Sequence, residues 1–153
     1  MISIRHTGIY VHNLERMENF YKRVFAMIPI CSGEFDKSPL FDDLYKHIDV
    51  SIETSKLITP YGKHAGQGDM IELVHVISPD ECIGDEPSHL YPIYDIGKTH
   101  VAFGVDDITE VIKLIIENDG LLQTNVYVMT NGNKCAFATD PEGNWLELIQ
   151  RKE

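Results

Sequence analysis

Two histidines and two glutamates recur in this chain at matching places in a repeated pattern. The segment GDMIELV (residues 68–74) carries Glu72 between Ile71 and Leu73, and GNWLELI (residues 143–149) carries Glu147 between Leu146 and Leu148. Upstream, HTGIYVHNL begins at His6 and HVAFGVDDI begins at His100, and the paired segments align without gaps. Successive side chains on a strand face opposite sides. Glu72 therefore shares a side with Met70 and Val74, Glu147 with Trp145 and Ile149, His6 with Gly8 and Tyr10, and His100 with Ala102 and Gly104. If the aliphatic sides of these strands cover a helix layer, all four polar residues face the concave side of a sheet. No lysine or arginine shares the inward faces of these four strands. A carboxylate in an apolar cavity is costly unless it is paired. Two imidazoles and two carboxylates form a nitrogen–oxygen donor set suited to zinc, nickel, cobalt, manganese or ferrous iron. His6, Glu72, His100 and Glu147 are accordingly read as the ligands of one divalent metal ion per site.

The elements that must hold these residues follow from periodicity. Each histidine opens a strand that leads into a helix, residues 15–27 in the first copy and 109–121 in the second. Asn13 and Asp107 stand where N-caps belong. Leu14, Met17, Phe20, Tyr21 and Val24 form one apolar stripe, and Ile108, Val111, Ile112 and Ile115 form its counterpart. Asp119-Gly120 ends the second helix as a glycine C-cap would. Glu72 follows His6 by 66 residues and Glu147 follows His100 by 47, so the first copy carries 19 more. That surplus is expected between Ser32 and Gly68, with a short helix at Ser38-Pro39, a strand over residues 48–59 and a turn at Pro60-Tyr61-Gly62-Lys63. Residues 122–129 and 134–139 read as the middle strands of the second copy, around the Asn131-Gly132-Asn133 turn. Each copy then reads β-α-β-β-β. The whole, residues 1–153, forms one α+β domain: a first module over about 1–80, a linker over about 81–96 and a second module over about 97–153.

Composition narrows the function classes. The chain has 153 residues, is 43% hydrophobic, and sets 13 basic against 24 acidic side chains for a net charge of −11. This suits a folded core and disfavours a sequence-independent grip on nucleic acid or anionic membranes. The opening MISIRHTGIYVHN lacks the apolar run of a signal peptide, and no segment has the apolar length to span a bilayer, so a cytoplasmic protein is expected. Cys31, Cys82 and Cys135 are odd in number and lack C-x-x-C spacing, which suggests neither a disulfide framework nor a thiolate zinc site.

The HTGIYVHNLERMENFYKRVF opening, the MIELV strand, the THVAFGVDDI strand and the closing DPEGNWLELIQ together resemble the vicinal oxygen chelate superfamily. That superfamily includes glyoxalase I, bleomycin-resistance proteins and extradiol dioxygenases. The resemblance covers nearly the whole chain, and the closing D-P-x-G-x-x-x-E-L is its most specific part. It implies paired βαβββ modules whose curled mixed sheets form a metal-containing cavity, a small-molecule substrate and a homodimer. The four glyoxalase I ligand positions fall on His6, Glu72, His100 and Glu147, which argues against the metal-free resistance branch. The resemblance further implies a lactoylglutathione lyase-like reaction, proton transfer through a metal-bound enediolate, with Glu147 as base and Glu72 as its symmetric partner.

Two departures bear on the substrate. Tyr10 stands where glyoxalase I has an arginine and Val76 where it has an asparagine, which removes two residues that help hold glutathione. Arg5, Arg16, Lys22, Arg23 and Lys63 could supply other anchors but read as solvated surface charges. An iron(II) extradiol-type dioxygenase would use His6, His100 and Glu147 with Glu72 as bystander. Methylmalonyl-CoA epimerase shares the layout and the enolate chemistry. A non-catalytic binding or resistance protein would line its cavity with Tyr10, Met70 and Trp145. His75 has the parity of Ile71 and Leu73 and should point away from Glu72, while His12, His47, His64 and His89 fall near loops or turns. Asp140-Pro141-Glu142-Gly143 has turn chemistry and needs no catalytic role.

Overall fold

The computed structural model describes residues 2–66, 68–85 and 90–152. His89 and part of the expected linker lie outside the described residues. The chain divides into two compact units, Met1–Glu86 and Pro87–Glu153, each a mixed sheet with an amphipathic helix on one face.

In the first unit, β1 (Thr7–Tyr10) leads into α1 (Leu14–Phe25), followed by β2 (Ile28–Lys37), α2 (Pro39–Tyr45), β3 (Ser51–Ile58), α3 (Pro60–Ala65) and β4 (Met70–Ser78). The sheet order is β1-β4-β3-β2. β1 runs parallel to β4, as a strand reached through a long connection can, and the remaining pairs are antiparallel. Asn13 starts α1 by accepting the Arg16 backbone amide at 2.9 Å, and Ala26 ends it in the left-handed conformation at φ 52°. α1 packs on β2, β3 and β4. The expected stripe Leu14, Met17, Phe20, Tyr21 and Val24 is buried, as are Ile9, Leu57, Ile71 and Leu73. A side chain as fully buried as Leu73 contributes roughly 1.5–3 kcal/mol.

The second unit repeats the plan with β5 (His100–Val105), α4 (Ile108–Glu117), β6 (Leu121–Leu122), β7 (Tyr127–Val128), β8 (Lys134–Thr139) and β9 (Trp145–Gln150). Its order is β5-β9-β8-β6, with β7 also on β8 and β5 parallel to β9. The Asp107 carboxylate accepts the amides of Thr109 at 2.9 Å and Glu110 at 3.2 Å, and α4 packs over β6, β8 and β9. Leu146, Leu148, Ala136 and Ala138 form the buried face beneath it.

Local chemistry accounts for four differences from the expected elements. Pro60 to Lys63 form the start of helix α3 rather than an isolated turn, because Thr59 caps the Gly62 amide at 3.0 Å and Gly66 closes the end at φ 74°. The strand expected from residue 48 starts at Ser51, after Asp49 takes a φ of 61°. The strand expected over 122–129 is two short pieces: the Gln123 and Thr124 amides both donate to the Phe137 carbonyl, and the Thr124 hydroxyl accepts the Phe137 amide at 2.9 Å. α4 stops at Glu117, and Asp119 rather than Gly120 adopts the left-handed conformation at φ 68°. Gly120 is needed for closeness, since a Cβ there would lie 2.6 Å from Ile115 and 2.7 Å from the Thr139 carbonyl. Most of the surplus of the first copy is α2 and α3, of seven and six residues, both between Ser32 and Gly68.

Candidate metal centre

In the first unit, parallel pairing places Gly8 opposite Glu72, and antiparallel pairing places Lys56 opposite it on the other side. His6 immediately precedes β1. Its Nε2 lies 3.1 Å from Glu72 Oε2, while Lys56 Nζ lies 3.3 Å from Glu72 Oε1. The Glu72 side chain is 19% exposed, against 34% for His6 and 36% for Lys56. Gly8 leaves the other flank open, because a Cβ built there would meet nothing within 4 Å.

In the second unit, β5 and β8 flank β9 in the same way, placing Ala102 and Phe137 opposite Glu147. His100 Nε2 lies 3.1 Å from Glu147 Oε2. Where the first unit has Lys56, this one has Phe137, whose ring meets the His100 ring edge-on at 5.6 Å and that of Trp145 at 6.5 Å. The Trp145 indole N–H donates to the Tyr91 carbonyl at 2.8 Å. Cys135, two residues before Phe137, lies on the same side of β8, and burial together with the Glu147 charge pushes its thiol up.

The strand carrying Glu147 is aimed by the turn before it. Asp140 is buried and its carboxylate accepts the Glu142 and Asn144 amides at 3.0 and 2.9 Å and the Asn144 side-chain amide at 2.8 Å. Gly143 supplies the left-handed step at φ 85°. The closing D-P-x-G segment is thus a positioning device, as its turn chemistry implied.

The donor chemistry fits a divalent ion. Two donors about 2.1 Å from a common metal lie 3.1 Å apart when the angle between them is about 95°, so each His–Glu separation suits neighbouring ligands. Among the described residues, no three His, Cys, Asp or Glu side chains converge; each unit by itself gathers a pair.

Of the expected cavity residues, Met70 and Trp145 are half-buried on the sides of Glu72 and Glu147, and Tyr10 is exposed. The Tyr10 hydroxyl accepts from Tyr45 at 2.8 Å, and burial, with Tyr10 second, pushes the Tyr45 hydroxyl up. Tyr45 and Phe41 of α2 pack on a cluster of Val50, Ile52, Val74 and Val76. Val76 is therefore apolar because α2 covers it. His75 points away from Glu72, with Nδ1 3.3 Å from the Val11 carbonyl. Lys22 is half-buried beside Glu18 at 3.5 Å, whereas Arg5, Arg16, Arg23 and Lys63 are exposed as expected. The three cysteines are free. Lys56 is the residue that strand parity missed: it lies on neither strand of the repeated motif, and only the β3–β4 register brings it to Glu72.

The sequence profile of the glyoxalase/bleomycin resistance protein/dioxygenase superfamily matches residues 3–148. The chain belongs to this superfamily. A probable lactoylglutathione lyase of Vibrio parahaemolyticus is 28% identical over 98% of this chain and 91% of its own length. A glyoxalase family protein of Bacillus cereus superposes with a TM-score of 0.79 at 18% identity, covering 98% of this chain and 94% of that one. A glyoxalase I variant of Zea mays gives 0.62 at 23% identity, over 97% of this chain and 44% of that one. A fosfomycin resistance protein of Listeria monocytogenes, solved with Mn(II) and a dihydroxypropylphosphonic acid, gives 0.60 at 14% identity, over 97% and 90%. These superpositions establish a glyoxalase-type fold with its two sheets. Among the described residues, no helix is long and apolar enough to cross a membrane.

Proposed function

We propose that this superfamily member is a divalent-metal-dependent lyase or isomerase of the glyoxalase I type. The carrying observation is the repetition, in both units, of a histidine and a glutamate 3.1 Å apart at equivalent strand positions. His6 and Glu72 would supply two ligands and His100 and Glu147 the other two, with one ion per site and a homodimer as the working assembly. A bound divalent ion would act as a Lewis acid toward two vicinal oxygens of a small substrate. The chain's own groups would move the proton. Glu147 is the better base, because the residue opposite it on β8 is the apolar Phe137, whereas Lys56 holds Glu72 in place. Glu147 would take a proton from the hydroxyl-bearing carbon beside the carbonyl and return it to the former carbonyl carbon, while the hydroxyl proton passes to the former carbonyl oxygen. Tyr10, Met70 and Trp145 would border the substrate. With Val76 buried beneath α2 and Tyr10 bonded to Tyr45, neither favours the glutathione contacts of glyoxalase I.

The test is deuterium incorporation from D₂O into a panel of α-hydroxycarbonyl compounds by metal-loaded protein. Exchange that disappears in Glu147→Gln supports the reading. One observation favours a second reading: Lys56 gives Glu72 a partner of its own, as a three-ligand iron(II) dioxygenase would require. Oxygen-dependent ring opening of a catechol, with no deuterium exchange, would establish that alternative.

A further inference from the structure

We propose that Lys56 anchors a carboxylate of the substrate, so that the site selects an anionic chelator over a less charged one. The inference rests on the metal reading above and names the class of substrate for that site. Charge balance is its starting point. Two glutamates neutralise a divalent ion, and Lys56 adds one positive charge that the donor set leaves unbalanced. Its ammonium carries three donors, of which Glu72 Oε1 takes one at 3.3 Å, and the side chain is 36% exposed rather than enclosed.

The other lysines close to partners in this unit are committed elsewhere: Lys22 to Glu18, Lys37 to Asp49 and Lys46 to Asp43. Lys56 alone of these four lies on the strand beside Glu72. The far flank of Glu72 is open, since Gly8 stands across Glu72 from Lys56 and has no side chain. A molecule lying across Gly8 and Glu72 would bring a carboxylate to Lys56. The acidic balance of the chain, −11 overall, makes a dedicated cation necessary if the substrate is itself an anion.

Two probes isolate the added charge. Glycolate and tartronate share one α-hydroxycarboxylate chelate, and tartronate carries a second carboxylate. Their affinities are measured by calorimetry on full-length, metal-loaded wild type, Lys56→Met, Lys56→Gln and Lys56→Arg, with metal content determined on each sample. Wild type should prefer tartronate by about ten-fold, the worth of one charge-assisted hydrogen bond. Lys56→Met and Lys56→Gln should lose that preference, and Lys56→Arg should retain it. If Lys56→Met fails to fold, the polar Lys56→Gln carries the comparison. An unchanged preference in metal-loaded Lys56→Gln, or none in wild type, overturns the assignment and leaves the metal reading standing. A wild-type protein that takes up no divalent metal removes both.

Discussion

The two units place the same donors at the same spacing and surround them differently. In the first, Glu72 is shared between His6 and Lys56, and α2 lays Phe41 and Tyr45 over the neighbouring valines. In the second, Glu147 faces His100, and Phe137 and Trp145 form an aromatic edge beside it. The sheet repeats, the parity repeats and the histidine–glutamate separation repeats. What has diverged is the residue one strand over, Lys56 in one unit and Phe137 in the other. The duplicated histidine–glutamate pair thus sits in two settings, one carboxylate beside a cation and the other beside an aromatic edge.

That asymmetry can be broken by substitution. The largest effect is expected on proton transfer: with metal saturating, Glu147→Gln should lower deuterium exchange by roughly 10²–10⁴-fold, the usual worth of a general base, and Glu72→Gln by less. Equal losses would show that the two carboxylates are interchangeable. The units should be alike where the repeat is structural. Leu73→Ala and Leu148→Ala, both at fully buried positions, should each cost about 2–5 kcal/mol in denaturant unfolding. A cost confined to one of them would show that the paired strands do not carry equivalent cores.

The helix caps sharpen the comparison at smaller scale. The Asp107 carboxylate accepts the amides of both Thr109 and Glu110, and the Asn13 side chain accepts that of Arg16. Asp107→Ala should therefore destabilise by about 1–2 kcal/mol and Asn13→Ala by about 0.5–1 kcal/mol in the same measurement. The reverse order would indicate that the caps are not what distinguishes the two helix starts. Tyr10→Phe removes the hydrogen bond to Tyr45 at a position where the second copy has Gly104. At so exposed a position the loss should be about 0.5 kcal/mol, and a loss of several kcal/mol would mean that α2 is held to the sheet mainly through that pair.

Much of this was legible in the sequence because strand parity is local. Ile71 and Leu73 had to share a side, so Glu72 had to take the other, and the same argument fixed Glu147. Helix caps were legible for the same reason, since Asn13 and Asp107 act on amides two or three residues away. Features that depend on register across strands were not. Lys56 reaches Glu72 only because β3 runs antiparallel to β4 with those two residues opposite, and nothing within the β3 sequence states its offset. The break at Thr124 was hidden likewise, because its hydroxyl meets an amide on β8. At Asp119-Gly120 the sequence pointed to a glycine C-cap, but Asp119 is the left-handed residue, and Gly120 is small because the Thr139 carbonyl and Ile115 leave no room for a Cβ.

The central claim is that both histidine–glutamate pairs serve as metal ligands. Elemental analysis of protein purified without added metal, for wild type, Glu72→Gln and Glu147→Gln, tests it most directly. The expected result is one equivalent of a divalent ion such as nickel, zinc or cobalt per site in wild type, lost from both variants. Iron retained in Glu72→Gln and lost from Glu147→Gln would contradict the four-ligand account in favour of a three-ligand iron site. A wild-type protein without metal would contradict both.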